Sequence, residues 1–426
     1  MKDNLCRNGL ACCVAVLGFL SEGWAGVEPT EWPQWRGPTR DGQVRGFAWP
    51  TSVQSSQFAE KWRVELGPSY SGPLVVGNLV FTTETRDKEL EVVRAFDRAT
   101  GQPRWEVTWA GSMSVPFFAK SNGDWIRSTP AYAEGTLYVA GMRDVLVALE
   151  AATGRERWRV DFVEMLQTPL PAFGFVCSPL VDGEGLYVQA GASVVRLDPA
   201  TGRLVWRALE DEGGMWGSAF SSPVIANLGG TRQLVVQTRT TLAGVDLATG
   251  GVLWRVEVPA FRGMNILTPV VFDDLVMTSS YGGKTLGHRV KCVDGRWQVE
   301  LAWSLKQQGY MSTPVVVDGH AYLHLRNQRV ACLDLREGRE RWTSGEAYGK
   351  YWSLVTQGDR ILALDQRGVL YLLRANPSEL EVVDSRALGV SDTWAHLAIS
   401  GQDLFVRGLN ELVAYRWTQP RDPASD

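Results

Sequence analysis

The chain holds four histidines among 426 residues, and two of them, His320 and His324, stand four apart in "HAYLH". On a helix that spacing would put two imidazoles on one face, the start of a metal site. The flanking residues are β-branched and aromatic and predict a strand, along which four residues span about 13 Å, too far for one ion to bridge. "GGKT" at Gly282 resembles the end of a phosphate-binding loop, but Thr278 stands where its first glycine belongs. "GEGLYV" at Gly183 lacks the third glycine of a dinucleotide fingerprint. Asp273 and Asp274 are adjacent carboxylates in a predicted hairpin turn, where water solvates both. The sequence contains no G-x-S-x-G, H-E-x-x-H or Cys-x-x-Cys. Any chemistry in this chain therefore depends on residues that the fold gathers from distant segments.

Those segments are repeats. "AFDRATGQPRW" (Ala95–Trp105) and "ALEAATGRERW" (Ala148–Trp158) write one pattern twice: a small residue, an acid two places on, Thr-Gly, and a closing tryptophan. Counted on Trp62, Trp105, Trp158, Trp206, Trp254, Trp303 and Trp342, the interval is 39 to 53 residues. A second mark, usually Ser/Thr-Pro, precedes each copy, as in "STPAYAEG" at Ser128 and "STPVVVDG" at Ser312. Weaker marks at Trp352 and Trp394 bring the count to eight. A period of forty-odd residues is that of blade arrays, with one four-stranded sheet per repeat.

In each repeat the Ser/Thr-Pro mark starts strand A, and a run such as "TLYVAG" forms strand B. The stretch before the acid is strand C, and the tryptophan lies on strand D. In the C-to-D turn the acid caps backbone amides and the glycine takes a positive φ. The tryptophan lays its flat face on the neighbouring blade. The last repeat stops after three strands, at Trp417, whereas "FAEKWRVEL" (Phe58–Leu66) carries a strand-D tryptophan with nothing before it. If that first strand completes the last blade, no sheet edge is left bare between the two ends. The expected fold is all-β: an eight-bladed β-propeller of four-stranded antiparallel blades over residues 58–417, closed by an N-terminal strand. A Trp/Pro/Gly-rich arm (26–57) precedes it and a tail (418–426) follows. Blade 5, with "CVDGRWQVELAW", lacks Thr-Gly, and blade 7 has "ANPSELEVV" in place of a tryptophan.

Residues 1–25 read as a secretory signal: Lys2 and Arg7, an apolar run from Leu10 to Leu20, and a small-residue cleavage site near Ala25. The apolar run mostly follows Cys12 and Cys13, the reverse of a lipid-anchored signal. A periplasmic or otherwise exported protein is expected. Cleavage leaves Cys177, Cys292 and Cys332, an odd count that gives no disulfide framework. A formal charge of −4 argues against a nucleic-acid binder, and a monomer is expected.

The eleven-residue pattern resembles the tryptophan-docking motif of PQQ-type β-propellers, a family spanning quinoprotein dehydrogenases and BamB-type proteins. The resemblance covers about Phe58 to Trp417, and "EWPQWRGPTRDG" (Glu31–Gly42) is similar to a lead-in segment of exported propellers in this group. It implies the fold and says little about activity. A dehydrogenase of the family would hold PQQ, a flat tricarboxylate, with Ca²⁺ in the mouth of the ring. It would add a vicinal disulfide, an Asp base and a Glu/Asn/Asp calcium set. The mature chain has no vicinal cysteines, and Asp124, Glu164, Asp211, Asp392 and Asn265 do not match that set residue by residue.

In a propeller the D-to-A and B-to-C connections share the face around the mouth. Residues just before each strand A are expected to line it: Tyr70, Arg127, Phe175, Phe220, Asn265, Tyr310, Tyr351, Trp352 and Trp394, with Trp216 in "EGGMWGSAF". The B-to-C turns add a basic rim of Arg86, Arg143, Arg239, Lys284, Arg326, Arg367 and Arg407. An aromatic mouth with a basic rim suits a flat anion or an acidic peptide. The plainer reading makes the aromatics channel plugs and the charges solubilising. Two functions compete. One is a non-catalytic, BamB-like scaffold that binds a protein partner, needs no cofactor, and meets a membrane only through that partner. The other is a PQQ/Ca-dependent quinoprotein dehydrogenase.

Overall fold

Eight inner strands grow from the eight marks. The computed structural model describes residues 31–54, 58–213 and 219–417, and these form eight four-stranded antiparallel sheets with almost no helix. Phe58–Glu65 pairs with Glu411–Trp417, Phe58 opposite Trp417 and Glu65 opposite Glu411. The eighth blade is thus made from both ends of the propeller, as expected. The signal segment, its cleavage near Ala25 and the tail (418–426) lie outside the described residues.

Strand alternation builds the ring. Successive side chains on a strand point to opposite faces, so Leu137 and Val139 of blade 2 enter the apolar seam with blade 1. Tyr138 and Ala140 enter the seam with blade 3. The closing tryptophans reach across these seams: Trp105 Nε1 donates to Ala151 O (3.0 Å), Trp158 to Pro199 O (3.0 Å) and Trp206 to Leu247 O (3.1 Å). Each acceptor follows the acid of the next blade's turn. Gly250 has φ +75°, and a Cβ there would lie 2.7 Å from the Trp206 ring; only glycine fits between turn and indole.

A second contact lies near the channel. The middle residue of each Ser/Thr-Pro mark accepts a backbone N–H from the preceding blade. Gly72 N donates to Thr129 Oγ1 (2.9 Å), Thr129 N to Ser178 Oγ (3.1 Å), and Ser178 N to Ser222 Oγ (2.9 Å). Ser222 N continues to Thr268 Oγ1 (3.1 Å) and Thr268 N to Thr313 Oγ1 (3.2 Å). The proline that follows is tolerated because the inner strand is a sheet edge.

The arm does not simply pack on the outside. Trp32 exchanges two backbone hydrogen bonds with Val75 of blade 1, Pro33 O accepts from Tyr132 N of blade 2, and Gln43 bridges Thr356 of blade 7. Between these anchors Arg36 reaches Pro314 O (2.5 Å) in blade 6, and Arg40 reaches Ser178 O (3.1 Å) and Pro179 O (2.6 Å) in blade 3. The arm therefore crosses the central channel. It then leaves over blade 7, where Trp49 and Val53 join the apolar cluster that holds residues of blades 7 and 8. Asp384 on the outer strand of blade 7 accepts from Val53 N (2.9 Å) and Gln54 N (3.1 Å).

Candidate functional site

The arm splits the channel. On the mouth side remains a cavity of about 180 Å³, floored by Trp35. Of the expected residues, Tyr70, Arg127, Phe220, Tyr310, Tyr351 and Trp394 line it, joined by Phe173, Met264, Met311 and His396. Tyr70 stacks on Trp394 with centroids 5.1 Å apart, and the His396 ring meets Trp35 edge-on at 5.9 Å. The Arg127 guanidinium is ringed by protein and donates to Gly123 O (2.9 Å) and Trp125 O (3.4 Å). Burial holds its pKa down at about 10, so it stays charged at neutral pH. Burial, with repulsion from Arg36, lowers His396 to about 3, which keeps that imidazole neutral. Burial also pushes the Tyr351 phenol well above its ordinary range.

Three expected lining residues are elsewhere, and one lies outside the described residues. Trp352 is the first residue of the inner strand Trp352–Gln357, so alternation turns it away from Tyr351's side and into the seam with blade 6. There it stacks between His324 (5.8 Å) and Tyr371 (5.4 Å). Phe175 turns into the seam between blades 2 and 3, against Phe162. Asn265 is buried with its amide donating to Arg239 O (2.9 Å) and Val258 O (2.8 Å), so it braces a connection between its neighbours Met264 and Ile266, which do face the cavity. Trp216 is the residue outside the described set.

The rim is less basic than its composition implies. Arg86 pairs with Glu84 (2.6 Å) and Glu106 (2.7 Å), Arg367 with Asp365 (2.6 Å), and Arg239 with Asp211 (3.5 Å). Arg326 lies over Tyr281 at 4.4 Å, while Arg143 and Lys284 are exposed. Arg407 is not on the rim. It is buried at the seam of blades 8 and 1, donating across it to Gly67 O (2.5 Å) and Thr83 O (3.3 Å) and within its own turn to Leu409 O (3.0 Å).

Among the described residues no carboxylate lines the mouth cavity, and no group of three His, Cys, Asp or Glu side chains is placed to hold a metal. Asp392 instead accepts from Gln366 (2.8 Å), and Cys177, Cys292 and Cys332 are free. The donors present do not fit PQQ with Ca²⁺. His320 and His324 also part company: His320 stands 3.7 Å from Asp334, and His324 is buried against Trp352.

The mouth offers contact surface instead. Phe117, Phe118 and Phe261 are 85%, 45% and 53% exposed. Phe117 and Phe118 belong to the connection from blade 1 to 2, and Phe261 to that from blade 4 to 5. Arg262 joins the two connections, its guanidinium 5.3 Å from the Phe118 ring and 5.0 Å from Phe261. Phe118 also meets Phe173 of the cavity lining at 6.3 Å. Loops three blades apart thus meet beside the mouth in one aromatic and cationic patch.

The profile of the family described as outer membrane protein assembly factor BamB matches residues 88–344, more than half of the chain. The chain belongs to this family. The outer membrane protein assembly factor BamB of Yersinia pestis is 24% identical over 262 residues, 56% of this chain, and the chain spans 63% of that relative's length. Among solved structures, BamB from Moraxella catarrhalis matches with a TM-score of 0.58 at 15% identity, covering 86% of this chain and 99% of that one. Quinohemoprotein alcohol dehydrogenase from Comamonas testosteroni matches with 0.66 at 13% identity, covering 92% and 82%. At such identity these two structures speak for the fold alone.

In this BamB-family propeller the features missed by sequence reasoning are the Phe117–Phe118–Phe261 patch and the arm inside the channel. The adjacent phenylalanines in a long connection were a visible signal for the first. Nothing local pointed to Arg262 as their partner.

Proposed function

We propose that this chain is a non-catalytic scaffold that docks another protein on its mouth face, in the service of cell-envelope or outer-membrane protein assembly. The observation that carries this reading is the patch of Phe117, Phe118 and Phe261 held by Arg262. Contiguous exposed aromatics with an arginine are the composition of protein-interface centres, and monomeric surfaces rarely leave such groups in water. The cavity behind the patch is lined by aromatic and hydroxyl side chains and carries one internally bonded cation, which suits an inserted side chain better than a tricarboxylate. Among the described residues no helix is long and apolar enough to cross a membrane, and membrane contact is assigned to the partner.

The test is site-specific photo-crosslinking in the native host. A photoreactive residue at Phe117 or Phe261 should give one dominant protein adduct. The same probe at Gln102, exposed in a C-to-D turn on the opposite face, should not. Equal adducts from both faces would sink the reading. So would calcium-dependent PQQ binding with turnover of an alcohol.

A further inference from the structure

Two cations are buried in the channel with little to balance them. Arg36 and Arg40 are 2% and 3% exposed. Their hydrogen bonds go to neutral oxygens: Arg36 to Asp41 O (2.9 Å) and Pro314 O (2.5 Å), Arg40 to Ser178 O, Pro179 O and Gln34 Oε1 (3.2 Å). The Nε–H of each is buried and has no partner among the described residues. Both guanidinium groups lie by the Trp35 ring, at 5.6 and 5.5 Å, so two like charges share one indole. Burial lowers Arg36 to about 10 and Arg40 to about 9, with repulsion from Arg36 adding to the latter. Both remain charged at neutral pH. A desolvated cation without a counter-ion is costly, and a charge-assisted hydrogen bond to a carboxylate is the strongest remedy.

Both arginines line a second cavity, of about 350 Å³, on the side of the arm away from the mouth. Its wall is apolar, with Val224, Ile225, Val270, Val271 and Val316 from the inner strands of blades 4 to 6. The arm's backbone hydrogen bonds go to blades 1, 2 and 7, so among the described residues the inner edges of blades 4 and 5 are not paired by it. Asp41 is the carboxylate in the lining. Its Oδ1 accepts from Thr39 Oγ1 (2.7 Å) and Gln43 N (2.8 Å), and its charge supports Arg36.

We propose that this cavity binds a carboxylate carried on an apolar chain, the carboxylate against Arg40 and Arg36 and the chain along the valines of blades 4 to 6. The anion gives the two guanidinium groups, whose present partners are all neutral, a charged partner, and the apolar chain covers partly exposed residues of the inner strands. A free aliphatic acid and the C-terminus of an extended apolar peptide present the same chemistry.

The experiment is calorimetric and thermal-unfolding titration of the full chain with hexanoate, hexanol, and a valine-rich pentapeptide with a free or an amidated C-terminus. Hexanoate should saturate one site and raise the melting temperature, with hexanol at least about tenfold weaker. Gln43→Trp should abolish the binding by filling the cavity, because Gln43 is exposed at the cavity edge. Arg40→Gln should abolish it too, but Arg40 also anchors two carbonyls, so Gln43→Trp keeps the test independent of folding. A free-terminus peptide that outbinds hexanoate, with loss on amidation, assigns the site to peptide ends. Hexanoate binding with an inert peptide assigns it to small acids. Equal effects of hexanoate and hexanol, no saturation by either acid probe, or binding untouched by Gln43→Trp would overturn the site. Photo-crosslinking on the mouth face reads a different surface and is unaffected by either result.

Discussion

The seam between blades 3 and 4 and the seam between blades 4 and 5 start from the same tryptophan and finish differently. At the first, Trp206 covers Gly250 and donates across the seam to Leu247 O. At the second, blade 5 replaces the Thr-Gly turn with a long hairpin, Thr285–Val293 and Arg296–Leu305. Trp254 then finds no carbonyl beyond the seam, and its indole donates to Gln233 Oε1 (2.6 Å) within its own blade. Trp297 and Val299 of the hairpin pack over the same cluster. The apolar contact is thus what both seams keep, and the indole N–H takes whichever acceptor the neighbour leaves. The seam between blades 7 and 8 makes the point again: blade 7 lacks its tryptophan, and the arm supplies Trp49 and Val53.

The ring-closing seam should be the most sensitive. The Asp403 carboxylate is fully buried and gathers Arg416 of its own blade (2.7 Å), Lys61 of the N-terminal strand (3.3 Å) and Arg98 of blade 1 (3.4 Å). Asp403→Ala leaves three cations without their anion. About 3 kcal/mol should be lost, the lower end for a broken buried pair because the cations still reach water. Urea unfolding measures it. An effect below that of an ordinary surface substitution would mean that strand pairing alone closes the ring.

Gln233→Leu separates the two kinds of seam. It strands the Trp254 N–H in a buried site, with an expected loss of about 1–3 kcal/mol. The seam at Trp206 has no such side-chain dependence, since its acceptor is backbone. A neutral Gln233→Leu would show that the indole at the irregular seam turns back to a carbonyl.

The regular seams carry a pH dependence on their mouth side. Glu91 of blade 1 accepts from Met142 N of blade 2 (2.6 Å) and from Trp109 Nε1 (2.8 Å), with Arg159 and Arg143 facing it. Asp144 of blade 2 accepts from Gly191 N of blade 3 (2.9 Å), with Asp161 facing it. Burial raises both to about 7. Between about pH 4 and 7 the folded chain therefore keeps protons that the unfolded chain has released. Their contribution is full below that window, falls as pH rises through it, and is flat above. Relative to wild type, Glu91→Gln with Asp144→Asn should gain stability steadily as pH rises from 5 to about 7 and then level off. A difference that stays level across that range would place the titration elsewhere.

Legibility divides along the same line as the seams. Blade number, strand order and closure were readable because one local pattern recurs at a fixed period and each copy must bury the same two faces. The hydroxyl before Pro was written in five consecutive marks, yet its use across the seam becomes visible only when neighbouring blades are placed side by side. Tyr351 and Trp352 show the limit at single-residue scale: both precede or open a strand, and alternation sends one to the cavity and the other to the core. Arg407 and Arg86 occupy equivalent turns, but Arg407 is buried against carbonyls across the closing seam while Arg86 pairs with Glu84 and Glu106.

Sequence alone determined the ring, since period, turn chemistry and the displaced first strand are local facts that repeat. Tertiary structure alone decided what sits in the channel and on its mouth. Arg36 meets Pro314, and Arg262 meets Phe118, across separations that no period relates, because these partners are chosen by where a closed ring brings irregular segments together.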